Sequence, residues 1–146
     1  MVDGVAGDMR VGVHMCRGNW SKKDGVHLSG DYTPLVGAFE QMHVRQLVLE
    51  FATPRAGDID VVGRALAGRE LGLGVVNQRS DQVETVESIV EKVERALQYF
   101  SPAQIFMNPD CGFGTFAQRC MSDERTAVEK MRRIVQAARV LRERYH

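Results

Sequence analysis

Residues 71–109 read LGLGVVNQRSDQVETVESIVEKVERALQYFSPAQIFMNP, and they decide the fold class. The opening LGLGVV (71–76) reads as a strand. In the next segment, 80–100, Val83, Val86, Ile89, Val90, Val93 and Leu97 recur at three- and four-residue spacing, which predicts an amphipathic helix. Ser80 or Asp81 can cap its start. QIFMNP (104–109) is a further strand, stopped by Pro109. Strand, helix, strand is the signature of a parallel pair joined by a helical crossover.

The same alternation extends outward in both directions. Upstream, RVGVH (10–14) and QLVLEF (46–51) read as strands. The segments 32–43 and 57–67 read as helices, the latter with acidic residues at its start, where they complement the helix dipole. Downstream, 123–145 reads as a final long helix. The expectation is an α/β chain of four βα units in a single domain, 1–146, with no obvious linker, internal repeat or low-complexity segment.

Composition bounds the function. The chain has 146 residues, 44% hydrophobic and 7% aromatic, with 19 basic and 19 acidic side chains. That is enough for one cored domain of ordinary globular make-up. Zero formal charge gives no electrostatic case for nucleic acid. The basic stretch KMRRIVQAARVLRERYH reads as a solvated helix face. No apolar run reaches the roughly 18 residues of a membrane span, and the N-terminus lacks the pattern of a signal peptide. Three cysteines without a secretory signal read as thiols for metal or catalysis in a reducing, cytoplasmic setting.

Parallel βα folds place their chemistry at the carboxyl ends of their strands. There the chain carries His14 and Cys16 after the first strand, Glu50 at the end of the second, Asn77, Arg79 and Ser80 after the third, and Asn108, Asp110 and Cys111 after the fourth. Taken singly, a histidine in such a place is usually a hydrogen-bonded core residue and a cysteine usually a small hydrophobe. Four potential ligands on one rim point instead to a metal. One imidazole, two thiolates and one carboxylate (His14, Cys16, Cys111 and Glu50) suit tetrahedral zinc. A glutamate buried without a partner is costly, so Glu50 needs the metal or Arg79 beside it. Cys120 matches no ligand position and reads as a structural thiol. His27, His43 and His146 carry no signal, and Trp20 and Phe113 read as packing residues before pocket linings.

HMC after a strand, LVLEF, GLGVVNQRS and NPDCGFGT, in this order, resemble the catalytic C-terminal domain of the cobalamin-independent methionine synthase family, most closely its short single-domain members. The resemblance runs from about Val11 to Tyr145. It implies a zinc ion held by His14, Cys16, Glu50 and Cys111, with Asn77, Arg79 and Asp110 on the substrate side. It also implies the activity of a 5-methyltetrahydropteroyltriglutamate–homocysteine S-methyltransferase, in which a zinc-activated thiol takes a methyl group from a methyl-folate in methionine biosynthesis. Small-molecule thiol and methyl donor would then be its partners, with neither nucleic acid nor membrane.

Two departures from the family follow. Where methionine synthases carry a histidine after the third strand of this stretch, Arg79 stands here, which bears on the folate side. The four βα units correspond to the C-terminal half of a TIM (β/α)8 barrel. A half-barrel leaves two open edge strands. It therefore leaves room for a homodimer, an N-terminal half-barrel partner, one piece of a split thiol alkyltransferase, or a zinc-binding half-barrel without turnover. On this reading Val11, Val13, Leu47, Leu49, Val75, Ile105 and Met107 face the missing wall.

Overall fold

The computed structural model describes residues 7–23, 25–114 and 116–145. Four strands, β1 (Gly12–Met15), β2 (Gln46–Leu49), β3 (Glu70–Val76) and β4 (Ile105–Pro109), form one sheet in the order β1-β2-β3-β4. Every pairing is parallel. The connections carry α1 (Val36–Gln41), α2 (Asp60–Leu66) and α3 (Val86–Ala96), and α4 (Glu124–Tyr145) follows β4. The chain is thus four βα units of a half-barrel, as the alternation predicts.

Boundaries shift where the sequence offers competing signals. Within 32–43, Pro34 starts a 3-10 turn, Thr33–Leu35, before a helix of only six residues. Pro54 does the same ahead of α2. Helix α3 starts at Val86, later than the periodicity suggests. Its cap is Thr85, whose side chain accepts the Ser88 N–H at 3.1 Å, and neither Ser80 nor Asp81 serves. Residues 80–85 are held as a loop because Glu84 turns back to accept the Asn77 N–H at 2.7 Å.

Strand order and handedness together decide which face is covered. Each crossover steps to the next strand in one direction, and right-handed crossovers then put all the helices on one side. Alternation sends Leu47, Leu49, Leu71, Leu73 and Val75 to that side, into one cluster with Phe39 of α1, Val62 and Leu66 of α2, Ile89 and Val93 of α3, and Ile134 and Leu141 of α4. Val11, Val13, Ile105 and Met107 pack against the same cluster. The expectation that these residues face a missing barrel wall is overturned. The strand registers put Gly12, Gln46 and Glu70 on the opposite face, then His14, Val48, Gly72 and Phe106, then Gly74 and Asn108.

Glycine is required at two of those places by close approach. A Cβ on Gly72 would lie 2.8 Å from a Val48 methyl, and one on Gly74 would lie 2.1 Å from Asp110 Oδ1 and 2.9 Å from the Leu49 carbonyl oxygen. At the amino end of this face Glu70 is paired with Arg45 at 2.6 Å and Arg10 at 3.0 Å, and the Arg10 guanidinium lies over the Phe106 ring.

Candidate metal centre

His14 is on β1, pointing to the face without helices. Its Nδ1 lies 3.0 Å from the Val48 carbonyl oxygen. A carbonyl only accepts, so Nδ1 bears the proton and Nε2 keeps a free lone pair. Cys16 follows the end of β1, and Cys111 follows β4, three strands away in the sheet. Their sulfurs are 3.8 Å apart. Ligand atoms of His14, Cys16 and Cys111 all lie within 4.8 Å of one another. Two sulfurs bound to one tetrahedral zinc at about 2.3 Å would sit about 3.8 Å apart, so the thiol spacing fits that ion.

Glu50, expected in this set, falls outside the group whose ligand atoms lie within 4.8 Å of one another. Its side chain is 1% exposed. Oε1 accepts the Arg17 N–H at 2.9 Å and the Asn19 side-chain amide. Oε2 accepts no hydrogen bond among the described residues, and Arg55 Nη2 stands 3.6 Å from it. The cation beside Glu50 is therefore Arg55, from the turn after β2. Arg79, named from sequence for that task, is engaged elsewhere. The backbone of Glu50 is fixed too: its N–H donates to the Tyr32 hydroxyl at 2.8 Å, which donates to its carbonyl at 3.3 Å. Arg17 lies over the Tyr32 ring and donates to the Gly30 carbonyl. Burial raises the Tyr32 pKa and lowers that of Arg55. The buried Oε2 of Glu50 thus faces the Arg55 guanidinium, and the ligand atoms that converge within 4.8 Å are those of His14, Cys16 and Cys111.

Asp110 immediately precedes Cys111 and works as a brace. Its Oδ1 accepts the N–H groups of Phe51 and Ala52 at 3.0 and 2.9 Å, which ties the β4 end to the β2 end. Burial pushes its pKa up to about 7, with the charge of Glu50 adding to the rise. Asn77 Oδ1 accepts the Arg79 N–H at 3.0 Å. Arg79 donates to Ser21, His27 and Lys23 in the loop after β1. The hydrogen bonds of all three residues named for the substrate side thus run within the protein.

Cys120 is exposed and outside the cluster. Phe113 packs against the core as expected. Trp20 does not: it is 55% exposed, its ring lying over the backbone of Gly18. His43 is exposed on the turn before β2, and His146 lies outside the described residues. Sequence reading missed Arg17, Asn19, Tyr32 and Arg55. The cue for the first two was their position directly after Cys16; Tyr32 and Arg55 had none, since only the fold brings them to Glu50.

Fold and site define a class, a βα half-barrel with a thiol–imidazole cluster on its carboxyl rim. Residues 2–139 match the family described as the cobalamin-independent synthase catalytic domain, and the chain belongs to that family. Methionine synthases of Pyrococcus abyssi and Pyrococcus furiosus are each 34% identical to it over 134 residues, which is 92% of this chain and 34% of theirs. The chain thus spans about a third of the length of these relatives. A B12-independent methionine synthase from Shewanella sp. W3-18-1, solved in complex with selenomethionine, shares the fold with a TM-score of 0.79 at 16% identity, over 98% of this chain and 41% of that one. No helix among the described residues is long and apolar enough to cross a membrane.

Proposed function

We propose that this chain is the zinc-bearing half of a thiol methyltransferase of the methionine synthase type, with homocysteine or a similar small thiol as acceptor and a methyl-folate as donor. Cys16, Cys111 and His14 Nε2 would hold the ion, and Glu50 would complete the set. The observation carrying this reading is the thiol pair 3.8 Å apart beside an imidazole whose other nitrogen is already tied to a carbonyl. Zinc, when bound, lowers the pKa of a thiol that coordinates it, so the substrate sulfur is nucleophilic at neutral pH. The chain's own residues do the rest. Val48 orients His14, the Arg17 amide and Asn19 hold Glu50 at the rim, and Asp110 locks Cys111 against the end of β2. In the transfer itself the substrate sulfur attacks the methyl carbon, and the electron pair of the broken bond stays with the donor.

Metal analysis tests the site. Wild type should bind one zinc per chain; Cys16→Ser and Cys111→Ser should lose stoichiometric zinc, and Cys120→Ser should keep it. Equal zinc in wild type and Cys111→Ser would remove the assignment. In cobalt-substituted protein the sulfur-to-metal charge-transfer band should grow on adding homocysteine. A spectrum unmoved by homocysteine and other small thiols would favour a zinc-binding half-barrel without turnover.

Among the described residues no strand pairs with the outer edge of β1 or of β4, and such open edges support a further part of this reading, a second copy or an N-terminal half-barrel that supplies neighbouring parallel strands. The exposed stripe Val128, Met131 and Val135 on α4 fits the same partner. Sedimentation at micromolar concentration should show a species near twice the chain mass if the partner is a second copy. A single species at chain mass with cooperative unfolding would exclude the homodimer.

A further inference from the structure

The loop between β1 and α1 carries Cys16, Arg17 and Asn19, and within it the Arg17 carbonyl accepts the Leu28 N–H at 3.0 Å while the Arg17 guanidinium donates to the Gly30 carbonyl. In its described residues, 17–23 and 25–31, the loop has neither helix nor strand, and it exposes Trp20, Val26 and Leu28. It crosses the end of β2, where it covers Glu50, and reaches the end of β3, which is not a neighbour of β1 in the sheet. There one side chain meets it three times. Arg79 donates from Nε to the Ser21 carbonyl at 2.8 Å, from Nη2 to the Lys23 carbonyl at 3.0 Å, and from Nη1 to His27 Nε2 at 3.3 Å. The nearby pair Lys22–Asp81, 2.7 Å, is exposed on both sides and contributes little.

The platform beneath Arg79 is fixed. Asn77 Oδ1 accepts the Arg79 N–H, Glu84 accepts the Asn77 N–H, and Lys130 of α4, fully buried, donates to Glu84 at 2.8 Å. The Ser122 hydroxyl holds the Gln78 carbonyl at 2.8 Å. Arg17 and Asn19 anchor the loop at the end of β2, and the Arg79 guanidinium, beside the exposed Lys22–Asp81 pair, joins it to the platform at the end of β3.

We infer that Arg79 is a positioning residue: it latches the β1–α1 loop across the end of β2, and so keeps Cys16 facing Cys111 and keeps Asn19 on Glu50. The effect on the metal rests on the zinc reading above; the latch itself does not. A planar fork with several fixed donors can bridge two carbonyls and an imidazole, and a lysine ammonium on a flexible stem cannot reproduce that geometry.

Trp20, the sole tryptophan, sits in the latched loop and reports on it directly. The experiment compares wild type with Arg79→Gln and Arg79→Lys, with Lys22→Ala as a control. Three quantities are read on the full chain: acrylamide quenching and anisotropy of Trp20 fluorescence, the rate of zinc release to an excess of chromophoric chelator, and far-UV circular dichroism. Both Arg79 variants should keep the wild-type dichroism, show a more quenchable and more mobile Trp20, and release zinc several-fold faster than wild type. Lys22→Ala should match wild type throughout. Wild-type Trp20 quenching in both variants would overturn the latch. Altered quenching with unchanged zinc release would overturn its role in positioning Cys16. If Arg79→Gln fails to fold, Arg79→Lys, which keeps the charge, decides the same point. If wild type holds no zinc, the zinc reading falls while Trp20 still decides whether Arg79 holds the loop.

Discussion

Along β2, Leu47 and Leu49 are wholly buried beneath the helices, while Gln46 and Val48, one residue along, are only partly covered on the other face. The contrast runs through the whole sheet. On the helix side the strands present leucine and valine to a closely packed layer. On the open side they present glycine, histidine, glutamine and asparagine beside Val48 and Phe106, with Glu70 held by two arginines at one end and the thiol–imidazole cluster at the other. One face stabilises the fold and the other carries the polar chemistry, because a strand's side chains alternate strictly between the two.

Paired truncations give the hardest test of that contrast. Leu47→Ala should cost roughly 2–5 kcal/mol, as filled core positions do, and Val48→Ala clearly less, both measured by urea denaturation. Equal losses would mean that the open face is covered in solution, which would itself point to a partner seated there.

A smaller effect is expected where the two ends of the sheet are braced. Gly74→Ala would drive a methyl group into Asp110 Oδ1 and the Leu49 carbonyl. It should destabilise by about 1–3 kcal/mol, the range for overpacking. It should also weaken zinc binding by pulling Asp110, and Cys111 after it, from the amides of Phe51 and Ala52. A stable variant with unchanged metal affinity would show that this brace does not set the site.

The mildest effect belongs to the helix layer, at the start of α4. Asp123 accepts the Thr126 N–H at 2.8 Å, and that bond, followed by the Thr126 hydroxyl, lowers its pKa. A carboxylate with a depressed folded-state pKa contributes stability above its unfolded value, and that contribution is lost as pH falls through the folded value. Asp123→Asn should therefore flatten the acid limb of the stability curve below about pH 4 and leave the neutral region nearly unchanged. An identical acid limb in the variant would remove Asp123 from the account.

Much of this could be read along the chain. The 3.6-residue period of α3, the apolar runs of β2 and β3, and the placing of His14, Cys16 and Cys111 at strand ends are local properties, and the structure brings those three side chains together. Helix starts were less legible. Thr85 caps α3 because Glu84 and Lys130 bind the preceding loop, and Lys130 is 46 residues away from its partner. Glu50 was legible as a rim carboxylate in need of a partner; the identity of that partner was not.

The sequence alone determined the βα order, the strand and helix periods and the residue types on the rim, since each depends on side chains a few positions apart. Tertiary structure decided the rest. Handed crossovers settled which face of the sheet the helices cover, and so turned Val13 and Ile105 toward the core and His14 toward the open side. The turn after β2 gave Glu50 its Arg55, and the packing of the β1–α1 loop across the end of β2 gave that loop its Arg79. These pairings join residues 5 and 52–58 positions apart. No local period encodes the Arg79 contacts, because their energy exists only once separate strands have been laid side by side, and the Glu50–Arg55 pair depends on how the turn after β2 folds back.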